Sequence, residues 1–410
     1  MKQLDQQTAS GRVHGHFHPR FEALAEAFVA NFDERGEVGA SLCLTLDGET
    51  VVDLWGGWAD AEAERPWNDD TVTVVFSSTK GVVALAAHTL VAAGELDLNA
   101  PVSRNWPEFA SNGKEDATVR MMLDHSVGVP AFRDKLGQQD CCDWEIMVGR
   151  LEREEPFWRP GTRGGYHMAN FGWTVGELVR RVSGQSLGSY VRSELAEPTG
   201  AEFWIGLPES EEPKVAPVIS ARPVRGAPQS RFIQALLKQG SISSLAYFNQ
   251  GGFKPNSRAC RAAEIGGGGG VGNARGLARL YAPFACGGEL AGKRFVDADT
   301  LAAMGEVAIA SHDDATLLIP TRFGLGFMKS IDNRRSLEVD KSSAILSSAA
   351  FGHAGAGGSL GFADPQARIS FGYVMNKMGP GILLNERGQS LVDATYRCLG
   401  YTSNASGVWR

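Results

Sequence analysis

The sequence predicts an α+β protein: one antiparallel sheet built from both chain ends, flanked by helices, with a mostly helical region inserted between them. Strand-like apolar runs bounded by turn residues stand near both termini, while helical periodicity dominates the middle. Between residues 208 and 272 periodicity fades and Pro, Gly and Ser accumulate, as in a functional cover. We therefore expect 1–76 with 281–410 to form a discontinuous sheet domain. Residues 77–280 form the helical region, with 208–272 as its loop or lid segment. The chain length, 410 residues, accommodates two such closely packed parts.

The elements follow in order. FEALAEAFVANF, from Phe21, repeats apolar residues at helical spacing. ASLCLTLDG and ETVVDLWGGW read as strands separated by an Asp47-Gly48 turn. VVALAAHTLVAAGE, the stretch Val119 to Leu123, FGWTVGELVRRVSG and NARGLARLYAPFA supply the helical middle. GSLGFAD and RISFGYVMN then form strands around Asp364-Pro365, and a last helix lies near ERGQSLVDATYRCLG.

Composition narrows the function. Charged residues make up 21% and hydrophobic ones 43%, ordinary globular values, and the net charge of -7 argues against a nucleic-acid surface. The N-terminus lacks the apolar core of a signal peptide, and no apolar run approaches membrane-spanning length. Six cysteines are scattered; adjacent Cys141 and Cys142 suit neither a C-x-x-C metal site nor a disulfide framework. Reduced thiols in a cytoplasmic protein, without metal or cofactor, are the expectation.

The strongest chemical signal is Phe76-Ser77-Ser78-Thr79-Lys80, running straight into an apolar helix. Residues three apart on a helix share a face, with Cβ atoms about 5–6 Å apart, so Ser77 and Lys80 are neighbours. Burial of that helix favours the neutral amine, which can take the proton of a serine hydroxyl. Free N–H groups at the helix start suit an oxyanion. The same residues also read as an N-capping serine followed by an exposed lysine, and the pattern alone leaves both open. A second S-x-x-K, Ser111 to Lys114, has no apolar helix behind it and reads as a surface loop.

Two further segments fall into line with Ser77 and Lys80. PGTRGGYHMANFGWTVGELVRRVSG places Tyr166 in a loop before a helix, and His353-Ala354-Gly355 stands before a C-terminal strand. This order resembles the serine β-lactamase and penicillin-binding-protein superfamily, most closely its class C-like esterase branch, the family VIII carboxylesterases. LDHSVGVP at Leu123 to Pro130 and NARGLARLYA resemble further segments of that superfamily, and the likeness runs from about Phe21 to Gly400. The resemblance implies a β-lactamase/transpeptidase-like fold with the active site between sheet and helical region. It implies Ser77 as nucleophile, with Lys80 and Tyr166 sharing the proton work, Tyr166 ionised or hydrogen-bonded to Lys80. It places an oxyanion hole at the backbone N–H groups of Ser77 and Ala356, and His353 and Gly355 at the substrate.

Departures from the superfamily's pattern bear on the substrate. Its Tyr-x-Asn reads Tyr166-His167-Met168 here, and His353 replaces the lysine of Lys-Thr-Gly. Both changes favour neutral esters over β-lactams. The expected activity is a serine carboxylesterase on small or short-acyl esters through an acyl-enzyme on Ser77. A β-lactamase, D-amino-acid peptidase or acyltransferase with the same residues is the alternative. A relative that is acylated without turnover is a third reading, opposed by the intact Lys80 and Tyr166. The partner is a small-molecule ester, with neither nucleic acid nor membrane.

Other features read as structural. His125 resembles a structural residue of the superfamily. His14, His16 and His18 alternate but lie in a polar segment, read as a mobile tail without acidic partner. The run Gly266 to Gly270 lacks the Lys-Ser or Lys-Thr of a phosphate loop and suggests a close-packed loop bordering the cleft. Trp158, Phe203, Trp204, Phe248 and Phe253 are candidate pocket aromatics. Gly357-Gly358-Ser359-Leu360-Gly361 matches a G-x-S-x-G nucleophile elbow, but a strand hairpin follows it and no histidine lies downstream. Ser359 is therefore read as part of the site wall.

Overall fold

The computed structural model describes residues 1–221, 228–337 and 339–410. Its centre is an eight-stranded sheet. We label the strands β1 (Lys2–Thr8), β2 (Gly11–Phe17), β3 (Gly39–Leu46), β4 (Glu49–Asp60), β5 (Phe351–Ala354), β6 (Leu360–Asp364) and β7 (Ile369–Met375). Their spatial order is β1-β2-β4-β3-β7-β6-β5, antiparallel throughout, with Arg65–Pro66 added to β4. The two chain ends meet at the β3–β7 pair, where Leu42 stands opposite Tyr373. Asp47 and Gly48 take φ of 52° and 83°, the mirror-image turn whose twist matches a tight hairpin.

Both sheet faces are covered. Helices α1 (Glu22–Glu34) and α5 (Glu386–Cys398) share one core with Leu42, Leu44, Phe371 and Tyr373. Cys43, Ala363 and Val374, one residue out of phase, face the other core with α4 (Ala274–Ala285) and the helical region. This alternation is the period-2 geometry of a strand, and double coverage makes every residue of β7 buried. Helix α4 straddles positions 280 and 281 and lies directly on the sheet. Helix α2 (Ser78–Ala92) runs through the second core beside α3 (Phe171–Ser183). Its first eleven residues, Ser78 to His88, are all buried, as expected of a helix without a polar face.

Three expectations are corrected. The N-terminal segment is not a tail: β1 and β2 form a hairpin on the β4 edge, with Val13 and Phe17 buried and the histidines turned outward. His14 faces an acidic partner, its Nδ1 lying 3.2 Å from Asp5. Residues 111–114 form a turn with Asn112 and Gly113 exposed, as a surface loop should, but the side chain of Lys114 is fully buried and donates to the carbonyls of Glu152 and Glu154. Segment 208–272 carries helices at Arg231–Leu237, Ile242–Phe248 and Arg258–Ala262; part of the proposed lid, 222–227, lies outside the described residues.

Candidate active site

The site forms where four stretches meet: the start of α2, the loop 163–170, the glycine run 266–270 and the end of β5. Phe76, immediately before the serine, has φ of 47°. That left-handed backbone costs a bulky residue about 1–3 kcal/mol and marks a turn held by its surroundings. The Phe76 ring meets Phe253 edge-on at 6.4 Å. Ser77 occupies the N-cap position of α2, yet its side chain makes no capping hydrogen bond. Its hydroxyl instead lies 3.0 Å from Lys80 Nζ. The N-capping reading with an exposed lysine is thereby removed, since Lys80 is fully buried.

Lys80 Nζ has two other partners, the carbonyls of Met168 and Gly267, each at 2.6 Å. Burial holds its pKa well below the ordinary lysine range. The neutral amine has two N–H bonds and one lone pair. In that form the two N–H bonds serve the carbonyls and the lone pair is left to the Ser77 hydroxyl, whereas a protonated amine donates to all three oxygens. Gly267 must be glycine here: a Cβ would stand 2.2 Å from the Ala169 carbonyl oxygen. The glycine run is thus the close-packed loop at the cleft that its sequence suggests.

Tyr166 is nearly buried, and its hydroxyl lies near enough to Ser77 for the serine to oppose the rise in its pKa. Its ring stacks on Phe323, centroids 5.7 Å apart, and Lys80 Nζ sits 4.9 Å from the ring centroid. Lys80 thus meets the face of the phenol, not its oxygen, and burial pushes the phenol pKa up. Both parts of the expectation for Tyr166 change: burial favours the neutral phenol, and among the described residues no hydrogen bond joins it to Lys80.

The loop that presents Tyr166 is held by Asp314, which sequence reasoning missed. This buried carboxylate accepts the N–H of Tyr166 at 3.0 and 3.1 Å, those of Thr316 and Leu317 at 2.9 Å, and the Thr321 hydroxyl at 3.2 Å. His167 is fixed as a tautomer, Nδ1 donating to the Gly165 carbonyl (2.7 Å) and Nε2 accepting from Val129 N–H (3.1 Å). His125 accepts the His167 N–H at Nδ1 and packs against Tyr166, Phe171 and Phe323, a structural position. Asn170 donates to the Val129 carbonyl and is buried, committed to the scaffold.

On the opposite wall, His353 is buried with its Nδ1 2.7 Å from the Ala354 carbonyl, so Nδ1 carries the proton. Its Nε2 has no hydrogen-bond partner among the described residues, and burial lowers its pKa to about 3. The ring is neutral and lies 5.9 Å from that of Tyr166. Ala356 is exposed, and neither its N–H nor that of Ser77 donates within the chain among the described residues. Gly355 differs, because its N–H already donates to the Ser359 carbonyl at 2.7 Å. A Cβ there would meet the Val75 oxygen and Ser359 Oγ at 2.2 Å, so its smallness draws β5 against the serine turn and leaves no donor for a ligand. Ser359 is a buried clamp, donating to the Val75 carbonyl at 2.7 Å and lying 3.1 Å from Ser78 Oγ. Of the candidate aromatics, Phe253 reaches Phe76, Phe203 belongs to the core, Trp158 donates to the Ser126 carbonyl and Phe248 is exposed.

A serine hydroxyl beside a buried amine at the head of a central helix, faced by a phenol and a strand edge, defines a class of serine hydrolase site. The beta-lactamase family profile matches residues 21–393. LipL of Mycobacterium tuberculosis, an esterase/beta-lactamase, is 34% identical over 93% of this chain and 87% of its own. A crystal structure of a family VIII carboxylesterase superposes with a TM-score of 0.84 at 37% identity, covering 94% of this chain and 99% of the other. A penicillin-binding-protein homologue from Caulobacter crescentus gives 0.83 at 34%, over 94% and 99%. The chain belongs to the beta-lactamase family of serine hydrolases, in the branch of the family VIII carboxylesterases.

Proposed function

We propose that the protein is a serine carboxylesterase that hydrolyses small or short-acyl esters through an acyl-enzyme on Ser77. The observation that carries this is the Lys80 hydrogen-bond set, two carbonyls and the Ser77 hydroxyl. Neutral Lys80 takes the hydroxyl proton as Ser77 Oγ bonds to the ester carbon. The developing oxyanion is received by the free N–H groups of Ser77 and Ala356. The resulting ammonium is stabilised by the Met168 and Gly267 carbonyls and by the Tyr166 ring face. When the C–O bond to the alcohol breaks, Lys80 returns that proton to the departing alkoxide, with the Tyr166 hydroxyl beside Ser77 orienting the transfer. Water then gives a proton to the same pair, attacks the acyl carbon, and returns Ser77 to its hydroxyl form.

Ester preference is supported by His353. A buried, neutral imidazole replaces the cation that would greet a β-lactam carboxylate. The names of the relatives point the same way, though LipL carries both activities in its name. Steady-state rates on p-nitrophenyl acetate, butyrate and octanoate and on nitrocefin, measured on one preparation, test the reading. The short esters should be turned over fastest and nitrocefin least, with Ser77→Ala losing all of these. Nitrocefin hydrolysis exceeding ester hydrolysis would move the assignment to a β-lactamase.

A further inference from the structure

The fold brings together three cysteines that the sequence scatters. Cys141 and Cys142 close a short turn at Asp140–Cys142, and Cys260 comes from the helix Arg258–Ala262. Cys142 Sγ lies 3.9 Å from Cys141 Sγ and 3.7 Å from Cys260 Sγ, and all three sulfurs lie within 4.8 Å of one another. A tetrahedral ion with metal–sulfur bonds of about 2.3 Å spaces its sulfurs about 3.8 Å apart. Among the described residues this is the one group of three His, Cys, Asp or Glu side chains close enough to share an ion.

The surroundings are organised around the cluster. Cys260 Sγ accepts the Lys254 N–H at 3.3 Å, the kind of outer hydrogen bond that steadies a thiolate ligand. Cys141 N–H donates to the Gly251 carbonyl at 3.1 Å, holding turn and loop in register. Asn249 reinforces the same contact, accepting from Leu136 N–H and donating to the carbonyls of Phe132 and Asp134. Cys141 and Cys260 are buried, whereas Cys142 is partly open, which gives an ion its path of entry. A disulfide would use only two of the three sulfurs. Mutual proximity of all three favours a shared cation.

We propose that Cys141, Cys142 and Cys260 form a three-thiolate site for a thiophilic divalent cation, with zinc as its representative. Each thiol releases its proton to solvent as its sulfur–metal bond forms, and no electron moves. The site is structural. It ties the segment carrying Phe253, and through it the Phe76 turn, to the helical region beside the active site.

The test uses the full chain, reduced and stripped of metal by a chelator, then given zinc and desalted. The wild type should retain about one zinc per chain, melt at a higher temperature with zinc than without, and with cobalt give sulfur-to-metal charge-transfer absorption. Cys260→Ala and, as an independent variant, Cys142→Ser should lose both the retained metal and the zinc-dependent melting shift. Ser77→Ala should keep them. No retained zinc in the reduced wild type overturns the proposal. So does retention that survives both cysteine variants, or a Cys142–Cys260 disulfide mapped in protein that takes up no metal.

Discussion

Burial without a carboxylate partner favours the neutral amine of Lys80, and its 3.0 Å contact with the Ser77 hydroxyl puts it in place to act as a base. The depressed pKa has a kinetic consequence with a definite sign. As pH falls, Lys80 takes up a proton and can no longer receive that of Ser77. kcat/KM should therefore fall on the acid side with unit slope and level off above, and residual turnover by Lys80→Gln should lack that limb. The Tyr166 phenol, pushed up by burial, stays protonated across the neutral range and adds no fall there. Tyr166→Phe keeps the stack on Phe323 and removes only the hydroxyl beside Ser77. It should lower kcat by roughly 10²–10⁴-fold and stability by no more than about 1 kcal/mol, read by kinetics and denaturant melting of the same sample. Ser77 and Lys80 are legible in sequence because their relation is local, three residues on one apolar helix. The carbonyls of Met168 and Gly267 are not, since a backbone oxygen carries no residue signature and both come from distant segments.

Among the elements, the Tyr166 loop depends on a carboxylate 148 residues away. Asp314 gathers four backbone or hydroxyl donor groups, two of them in its own turn, and burial raises its pKa. Asp314→Asn replaces one acceptor oxygen by a donor and leaves a buried N–H or hydroxyl unpaired. We expect a loss of about 1–3 kcal/mol in stability together with a kcat decrease larger than any change in KM, measured by melting and ester kinetics. Restoring Tyr166's loop by crowding or cooling should recover kcat only in part. No local spacing advertises Asp314, because one acidic residue in a loop looks like any other. The β1–β2 hairpin was hidden differently. Leu4 is the only large apolar residue in KQLDQQT, an edge strand with little to bury, and the alternation of Val13, Gly15 and Phe17 in β2 was masked by intervening histidines.

At the scale of the whole molecule, the architecture is readable because its hydrophobic patterning is consistent from end to end. Strands at both termini pair at β3–β7, and one apolar helix, α2, passes through the shared core. The positioning of Ser77 follows from that arrangement. Helix α2 delivers the hydroxyl and the amine, and Gly355 lets the end of strand β5 pack against Val75, at the turn before Ser77. The cysteine cluster was illegible for the opposite reason: Cys142 and Cys260 are 118 residues apart and meet only through tertiary packing. On this framework Ser77, and not the elbow-like Ser359, is the expected nucleophile. Intact-protein mass after treatment with a fluorophosphonate, followed by mapping of the labelled peptide, tests it most directly. The adduct should be single, lie on Ser77 and disappear in Ser77→Ala; label on the peptide carrying Ser359, or undiminished label in that variant, would contradict it.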